Sequence, residues 1–266
     1  MQSFASYYDF YDGADDRQDQ LRLYRELLFS AGKQVLELAC GTGIVAIDLA
    51  GAGLSVTGLD IDPDMLAVAR RKVSKEPSEV QARLQWVEAD MTQFQLRHQF
   101  DAALLGNNEF GYLTTLEAQR SCLHAIREHL KEGGTLVIEE RLYAPETLTK
   151  MMQRRSVITV HTARVSPATG LYTTFNAVVI NVDVLSQIIL WRRYVEEVAE
   201  DGSVRRILPK ERFIKQHYFS PQEMRLLLAS AGFAVEHIYG GYERQPLEAK
   251  SRSMIFECRA RKGDNQ

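Results

Sequence analysis

Everything that would take this chain out of the aqueous phase is scarce in it. No stretch of its 266 residues approaches the ~18 to 20 uninterrupted apolar residues needed to cross a bilayer. The opening MQSFASYYDFYDGADD has neither a basic start nor an apolar core, so it does not read as a secretory leader. Cysteine is rare: Cys40, Cys122 and Cys258 are odd in number and far apart. That excludes a disulfide framework and a cysteine-based metal site, and it fits a reducing, cytoplasmic setting. No H-x-x-x-H pair and no carboxylate repeat with ligand spacing occurs either, so metal-independent chemistry is expected. A formal net charge of −3 gives no reason to expect nucleic acid as a partner, nor does the sequence suggest a membrane.

What is present is ordinary globular material, 45% apolar and 25% charged, enough for one large α/β domain with an insertion. Residues 1 to about 30 are acidic and aromatic, then helical, with Leu21, Tyr24, Leu27 and Leu28 on one face. From 33 to 140 strand and helix alternate. The predicted strands are Gln34 to Leu38, Leu54 to Leu59, Arg83 to Glu88, Phe100 to Leu105 and Gly134 to Glu140. The helices are Gly43 to Ala50, Pro63 to Lys72 and Leu116 to Leu130. Such alternation predicts a doubly wound, mostly parallel sheet with helices on both faces. After Pro145 four stretches rich in β-branched and aromatic residues predict a short antiparallel sheet: SVITVHTARV, LYTTFNAVVINV, SQIILWRRYVEEV and SVRRILPKERFIKQHYF. Ser220-Pro221-Gln222-Glu223 then forms a capping box for a helix, and two terminal strands follow. The expected domains are therefore a core of 1–141 with 220–266, including an N-terminal helical cap, and an insert of 142–219.

The sharpest local signal is VLELACGTGIVAIDLA, residues 35 to 50, a strand that enters a helix through Gly41 and Gly43. Glycines there let the backbone turn tightly beside the free N–H groups of a helix start. Taken alone the turn also fits a dinucleotide fingerprint. Its surroundings argue otherwise. Glu37 and Ala39 precede the turn, and a carboxylate at Glu37 would repel a pyrophosphate but suits an ammonium group. Asp60 ends the second strand, where it can take the hydroxyls of a ribose. After the third strand, Ala89-Asp90-Met91 offers a short acid to an adenine amino group, with Met91 and Ile61 as apolar walls. Leu105, Gly106 and Asn107 close the fourth strand with backbone groups beside the reacting centre. These positions lie at the carboxyl ends of strands, where open α/β sheets bind ligands.

With VLELACGTG, GLDIDPDMLAVARRK, EADMTQF, FDAALLGNNEFGYL, HLKEGGTLVIEE and FSPQEMRLLLASAGFAVEHIYG in that order, the chain resembles the class I methyltransferases that use S-adenosyl-L-methionine (SAM). More narrowly, it resembles bacterial small-molecule methyltransferases with a four-strand lid. The resemblance implies a Rossmann-like, seven-stranded sheet with its last strand antiparallel and the lid inserted after the fifth strand. It also implies that Asp60 holds the ribose, Asp90 and Met91 the adenine, and Gly41, Gly43 and Leu105 the methionine part, with Glu37 anchoring the glycine loop. Tyr11, in a segment similar to one that folds over the cofactor in relatives, either contacts it or packs in the core.

Methyl transfer needs alignment and water exclusion, and a base only for some acceptors. Tyr11, Glu109 and His217 are the candidates for that role. The segment from 142 to 219 carries eleven Lys and Arg against seven Asp and Glu, and is either a solvated strand surface or a cradle for an anionic group. Arg155, Tyr172, Asn176, Trp191, Arg193 and Arg212 are its candidate substrate residues, about half of which should face solvent because strands alternate. The chain reads Asn107-Asn108-Glu109-Phe110 where nucleic-acid amino methyltransferases place Asn/Asp-Pro-Pro-Tyr, so a small molecule enclosed between lid and sheet is the expected acceptor. Self-association through the lid is also expected. The rival readings are an NAD-dependent oxidoreductase, a SAM-binding partner subunit without turnover, and an aminopropyl transferase. The last would require paired acids for a polyamine, which the sequence does not present.

Overall fold

Apolar spacing sets the first elements. Leu21, Tyr24, Leu27 and Leu28 recur at helical period and are buried along α1 (Gln18–Ala31). β1 (Gln34–Leu38) follows with four consecutive buried residues, the pattern of a strand covered on both faces. The structure, a computed structural model, describes residues 5, 8–9, 17–153, 157–159, 164–165, 170–199, 201–206 and 212–261. After β1 come α2 (Ile44–Gly51), β2 (Ser55–Asp60), α3 (Pro63–Val73), the single turn α4 (Ser78–Gln81), β3 (Leu84–Glu88), β4 (Phe100–Leu105), α5 (Leu116–His129) and β5 (Leu130–Arg141). Next are α6 (Pro145–Gln153), β6 (Val157–Thr159), β7 (Arg164–Val165), β8 (Tyr172–Asp183), β9 (Ile188–Val198), β10 (Val204–Arg206) and β11 (Arg212–His217). The chain ends with α7 (Pro221–Ser230), β12 (Phe233–Tyr239) and β13 (Ser253–Ala260).

By its packing the chain divides into two compact units, Ala14–Leu142 with Phe219–Gln266, and Met1–Gly13 with Tyr143–Tyr218. In the first, seven strands run in the order β12-β13-β5-β4-β1-β2-β3. All neighbours pair in parallel except β13, which is antiparallel to both β5 and β12. Strand order reverses between β1 and β4, so the connections leaving the carboxyl ends of these paired strands run to opposite faces of the sheet and leave a crevice between them. One face of the sheet buries Val35, Val56, Leu104 and Val137 against α1 and α2. The other buries Leu36, Leu105, Leu136 and Ile138 against α5 and α7. The alternation along each strand feeds both cores. Helix starts follow local chemistry: the Asp62 side chain accepts from the Asp64 N–H, and Ser220 and Glu223 form the expected capping box.

Two features depart from the sequence reading. The fifth strand starts at Leu130, directly after α5, and not at Gly134. Leu130 pairs with Phe100, and the register then shifts across residues 131–134 before Ala102 pairs with Thr135. The second unit holds a six-stranded sheet, not four strands. β6 and β7 both pair with β8, while β10 and β11 both pair with β9, so two of the four apolar stretches each supply two strands. α6 precedes this sheet where the sequence reading assigned no element. Among the described residues no helix is long and apolar enough to cross a membrane.

Candidate functional site

β1 delivers its last residues to the crevice of the seven-stranded unit, and the turn that follows is left-handed at three points. Ala39, Gly41 and Gly43 have φ of 51°, 55° and 75°. The two glycines are needed for different reasons. A Cβ on Gly43 would lie 2.5 Å from Trp86 Cη2, so this glycine is packed down on the indole, whereas a Cβ on Gly41 would meet nothing within 4 Å. Gly43 therefore seats the start of α2, and Gly41 presents an open backbone surface.

Three carboxylates stand at the carboxyl ends of β1, β2 and β3. Asp60, the last residue of β2, is 8% exposed and accepts from Gly41 N at 2.7 Å through Oδ2 and from Asp62 N at 2.8 Å through Oδ1. Burial raises its pKa, against these amide donors. Both oxygens keep a second lone pair, so the ribose role expected from the sequence is compatible with these bonds but shares them. Glu37, 4% exposed, is pushed up to about 8, first by burial and then by the nearby Asp60 charge. Its Oε2 is buried without a hydrogen-bond partner, a costly state for any carboxyl group unless something else engages it. Asp90, half-buried after β3, takes both the Thr92 N–H and its hydroxyl on Oδ1, each at 2.8 Å. Ile61 stands 65% exposed beyond β2, and Ala89 and Met91 pack partly against the core.

At the fourth strand end the side chains are already engaged. Leu105 is fully buried in the core, so only its backbone can face a ligand. Asn107 and Asn108 are consecutive left-handed residues, with φ of 55° and 63°. The Asn107 Oδ1 already accepts from Arg17 Nη1 at 2.9 Å and Gln20 Nε2 at 3.0 Å. Arg17, Gln20, Tyr24, Glu139 and Tyr242 were absent from the sequence-based site. The visible trace was Glu139-Glu140, two acids at the end of a strand that buries every residue from Gly134 to Glu140. Glu140 is 1% exposed, accepts from the Gly111 N–H at 3.1 Å, and has its pKa raised by burial. Glu109 is half-buried at the entry to the 3-10 turn Phe110–Tyr112.

In the second unit, His217 ends β11 opposite Ile188 and is 8% exposed. Trp191 is 5% exposed, with its Nε1 buried and unpartnered. Arg193 is half-buried with Arg212 and Ala177 as its register partners, while Tyr172 is 58% exposed. Asn176 and Arg212 are described as strand positions only, opposite Tyr194 and Arg193. Tyr11 and Arg155 lie outside the described residues. Among the described residues no group of three or more His, Cys, Asp or Glu could hold a metal.

The crevice geometry coincides with a family match: residues 35–134 fit the family model described as "Methyltransferase domain". That stretch of the chain is similar to this family. A dTDP-3-amino-3,4,6-trideoxy-α-D-glucopyranose N,N-dimethyltransferase from Streptomyces venezuelae is 32% identical over 113 residues, 42% of this chain and 44% of that relative. The chain thus spans about half the length of the curated relatives it matches, 42% to 54% of them. The CcbJ methyltransferase from Streptomyces caelestis covers 96% of both chains with a TM-score of 0.75 at 23% identity. The SAM-bound amino pentose methyltransferase CalS10 from Micromonospora echinaspora covers 97% of both with a TM-score of 0.65 at 20% identity. These likenesses show that the chain has the Rossmann-like fold of those methyltransferases.

Proposed function

We propose that the chain transfers the methyl group of S-adenosyl-L-methionine to a nitrogen, oxygen or carbon nucleophile of a small molecule. The observation that carries this reading is the buried Glu37 Oε2, which has no partner beside the open face of Gly41. An α-ammonium group satisfies that oxygen and favours its charged form, while a pyrophosphate brings it no hydrogen-bond donor and leaves it protonated. The remaining residues fit the same donor. Arg17 lies near enough to Glu37 to oppose its raised pKa, and it takes the methionine carboxylate. Asp60 holds the ribose hydroxyls, Asp90 accepts from the adenine amino group, and Ile61, Ala89 and Met91 flank the ring. Ala39, Gly41, Gly43, Leu105, Gly106 and Asn107 contribute backbone.

When bound, the donor supplies an electrophilic methyl on a sulfonium. The chain's own work is to fix the donor's orientation and keep water from the reacting line. Glu109 and His217 are the described groups proposed to take a proton from acceptors that must lose one. Trp191, whose buried N–H has no partner, is the acceptor contact best supported in the second unit, together with Arg193. The three free cysteines are all buried and fit a cytoplasmic setting. Calorimetry with SAM, its demethylated product S-adenosyl-L-homocysteine, and NAD tests the reading: both sulfur compounds bind and NAD does not. Transfer of label from SAM to a metabolite pool then separates an enzyme from a binding subunit. NAD binding, or binding without transfer to any acceptor, would refute it.

A further inference from the structure

A buried polar network stands beside the loop that follows β4, and the donor contacts above leave most of it unused. Gln20 is 5% exposed, and its side-chain nitrogen lies 2.9 Å from Glu139 Oε2, 3.0 Å from Asn107 Oδ1, and 3.2 Å from both the Tyr24 and Tyr242 hydroxyls. Two N–H bonds cannot serve four acceptors. The hydroxyls resolve this by donating to Glu139, Tyr242 to Oε1 at 2.6 Å and Tyr24 to Oε2. Gln20 is then left to join Glu139 to Asn107. Burial and the Glu139 charge hold both phenols far above their ordinary pKa, so they stay donors.

The network presses on the loop it serves. A Cβ on Gly106 would lie 2.6 Å from the Tyr24 hydroxyl, so the chain after β4 rests directly on these groups. Two successive left-handed asparagines are costly and persist only where their surroundings over-determine them. Here Gln20 and Arg17 grip the Oδ1 of Asn107, and Asn108 Oδ1 accepts from the Arg141 N–H at 2.7 Å. A continuous path of hydrogen bonds therefore runs from Tyr242, in the loop between β12 and β13, through Glu139 and Gln20 to Asn107 and Arg17.

We infer that Gln20, Glu139 and Tyr242 are positioning residues that hold Arg17 and Asn107 at the methionine end of the donor, so that the C-terminal β12–β13 loop takes part in donor recognition. The inference rests on the donor reading above. Its test uses two ligands that share an adenosine thioether. S-adenosyl-L-homocysteine carries the amino and carboxylate groups, and 5′-methylthioadenosine lacks them. Tyr242→Phe removes one oxygen and keeps the ring, and Gln20→Met keeps the side-chain length. Each should weaken binding of S-adenosyl-L-homocysteine about tenfold, the loss typical of a hydrogen bond serving a charged group, and change 5′-methylthioadenosine by less than about twofold. Equal losses on both ligands would mean that the network merely supports the fold, and no loss on either would mean that it positions nothing. Both results overturn the inference while leaving the donor reading intact. Wild-type protein that binds neither ligand would instead overturn the donor reading, and the inference with it.

Discussion

The two units of this chain are both built on a sheet, but their side chains are constrained very differently. In the seven-stranded unit each site position is fixed by a local rule: left-handed turns at Gly41 and Gly43, an Asp at the end of β2, and buried acids at the ends of β1 and β5. In the six-stranded unit neighbouring strands share partners, and strongly exposed apolar residues such as Tyr172, Val204 and Phe213 are common. The comparison teaches that ligand geometry set by backbone conformation is narrow, whereas geometry set by strand alternation tolerates many side chains. Acceptor choice is expected to sit in the tolerant unit and donor choice in the narrow one.

The largest expected break in that contrast is at Glu37. Glu37→Gln should weaken S-adenosyl-L-homocysteine binding by about a hundredfold, since a buried charged pair with the ammonium is lost. Trp191→Phe should leave donor affinity unchanged while raising the acceptor KM severalfold. Isothermal calorimetry and steady-state kinetics on the two variants check this directly. Next is the glycine pair. Gly43→Ala both forces a left-handed alanine and drives its Cβ into Trp86, and it should cost about 2 to 4 kcal/mol. Gly41→Ala carries only the conformational penalty, about 1 to 2 kcal/mol. Denaturant unfolding of both variants should rank them in that order.

A third prediction concerns pH. Glu37 keeps its proton to about pH 8 when folded but only to its ordinary value of 4.5 when unfolded. Folding therefore takes up a proton between those values, and stability falls as pH rises through the window. Glu37→Gln removes this dependence. Relative to wild type the variant should match at pH 4 and gain at least about 2 kcal/mol at pH 9, as read by thermal or denaturant unfolding. The smallest effects belong to the outer positions of the second sheet. Tyr172→Ser and Phe213→Ser, at 58% and 55% exposure, should shift stability by less than about 0.5 kcal/mol.

Much of the seven-stranded unit was legible from residue order because helix caps, glycine turns and buried strand runs are local signals. Asp60 and Glu37 stood at recognisable strand ends and lie beside the turn as read. Tyr24 was legible only as an apolar helix residue, since nothing in its neighbourhood reveals that its hydroxyl meets Glu139, 115 residues away. Arg17 and Gln20 were missed for the same reason: their partner Asn107 is distant in sequence. In the second unit apolar alternation located strands but not their number. Whether one apolar stretch supplies one strand or two depends on partners along β8 and β9, which periodicity does not encode.

The central claim is that the Glu37 carboxylate receives the donor's ammonium, and proton release on binding measures it most directly. In the free chain Glu37 is protonated at pH 7, with its pKa near 8. An ammonium at Oε2 must displace that proton. Calorimetry of S-adenosyl-L-homocysteine at pH 7, in buffers of differing ionisation enthalpy, should then report release of close to one proton, fading toward zero by pH 9. 5′-Methylthioadenosine should release none. Binding of S-adenosyl-L-homocysteine without proton release, or equal release with both ligands, would contradict the account.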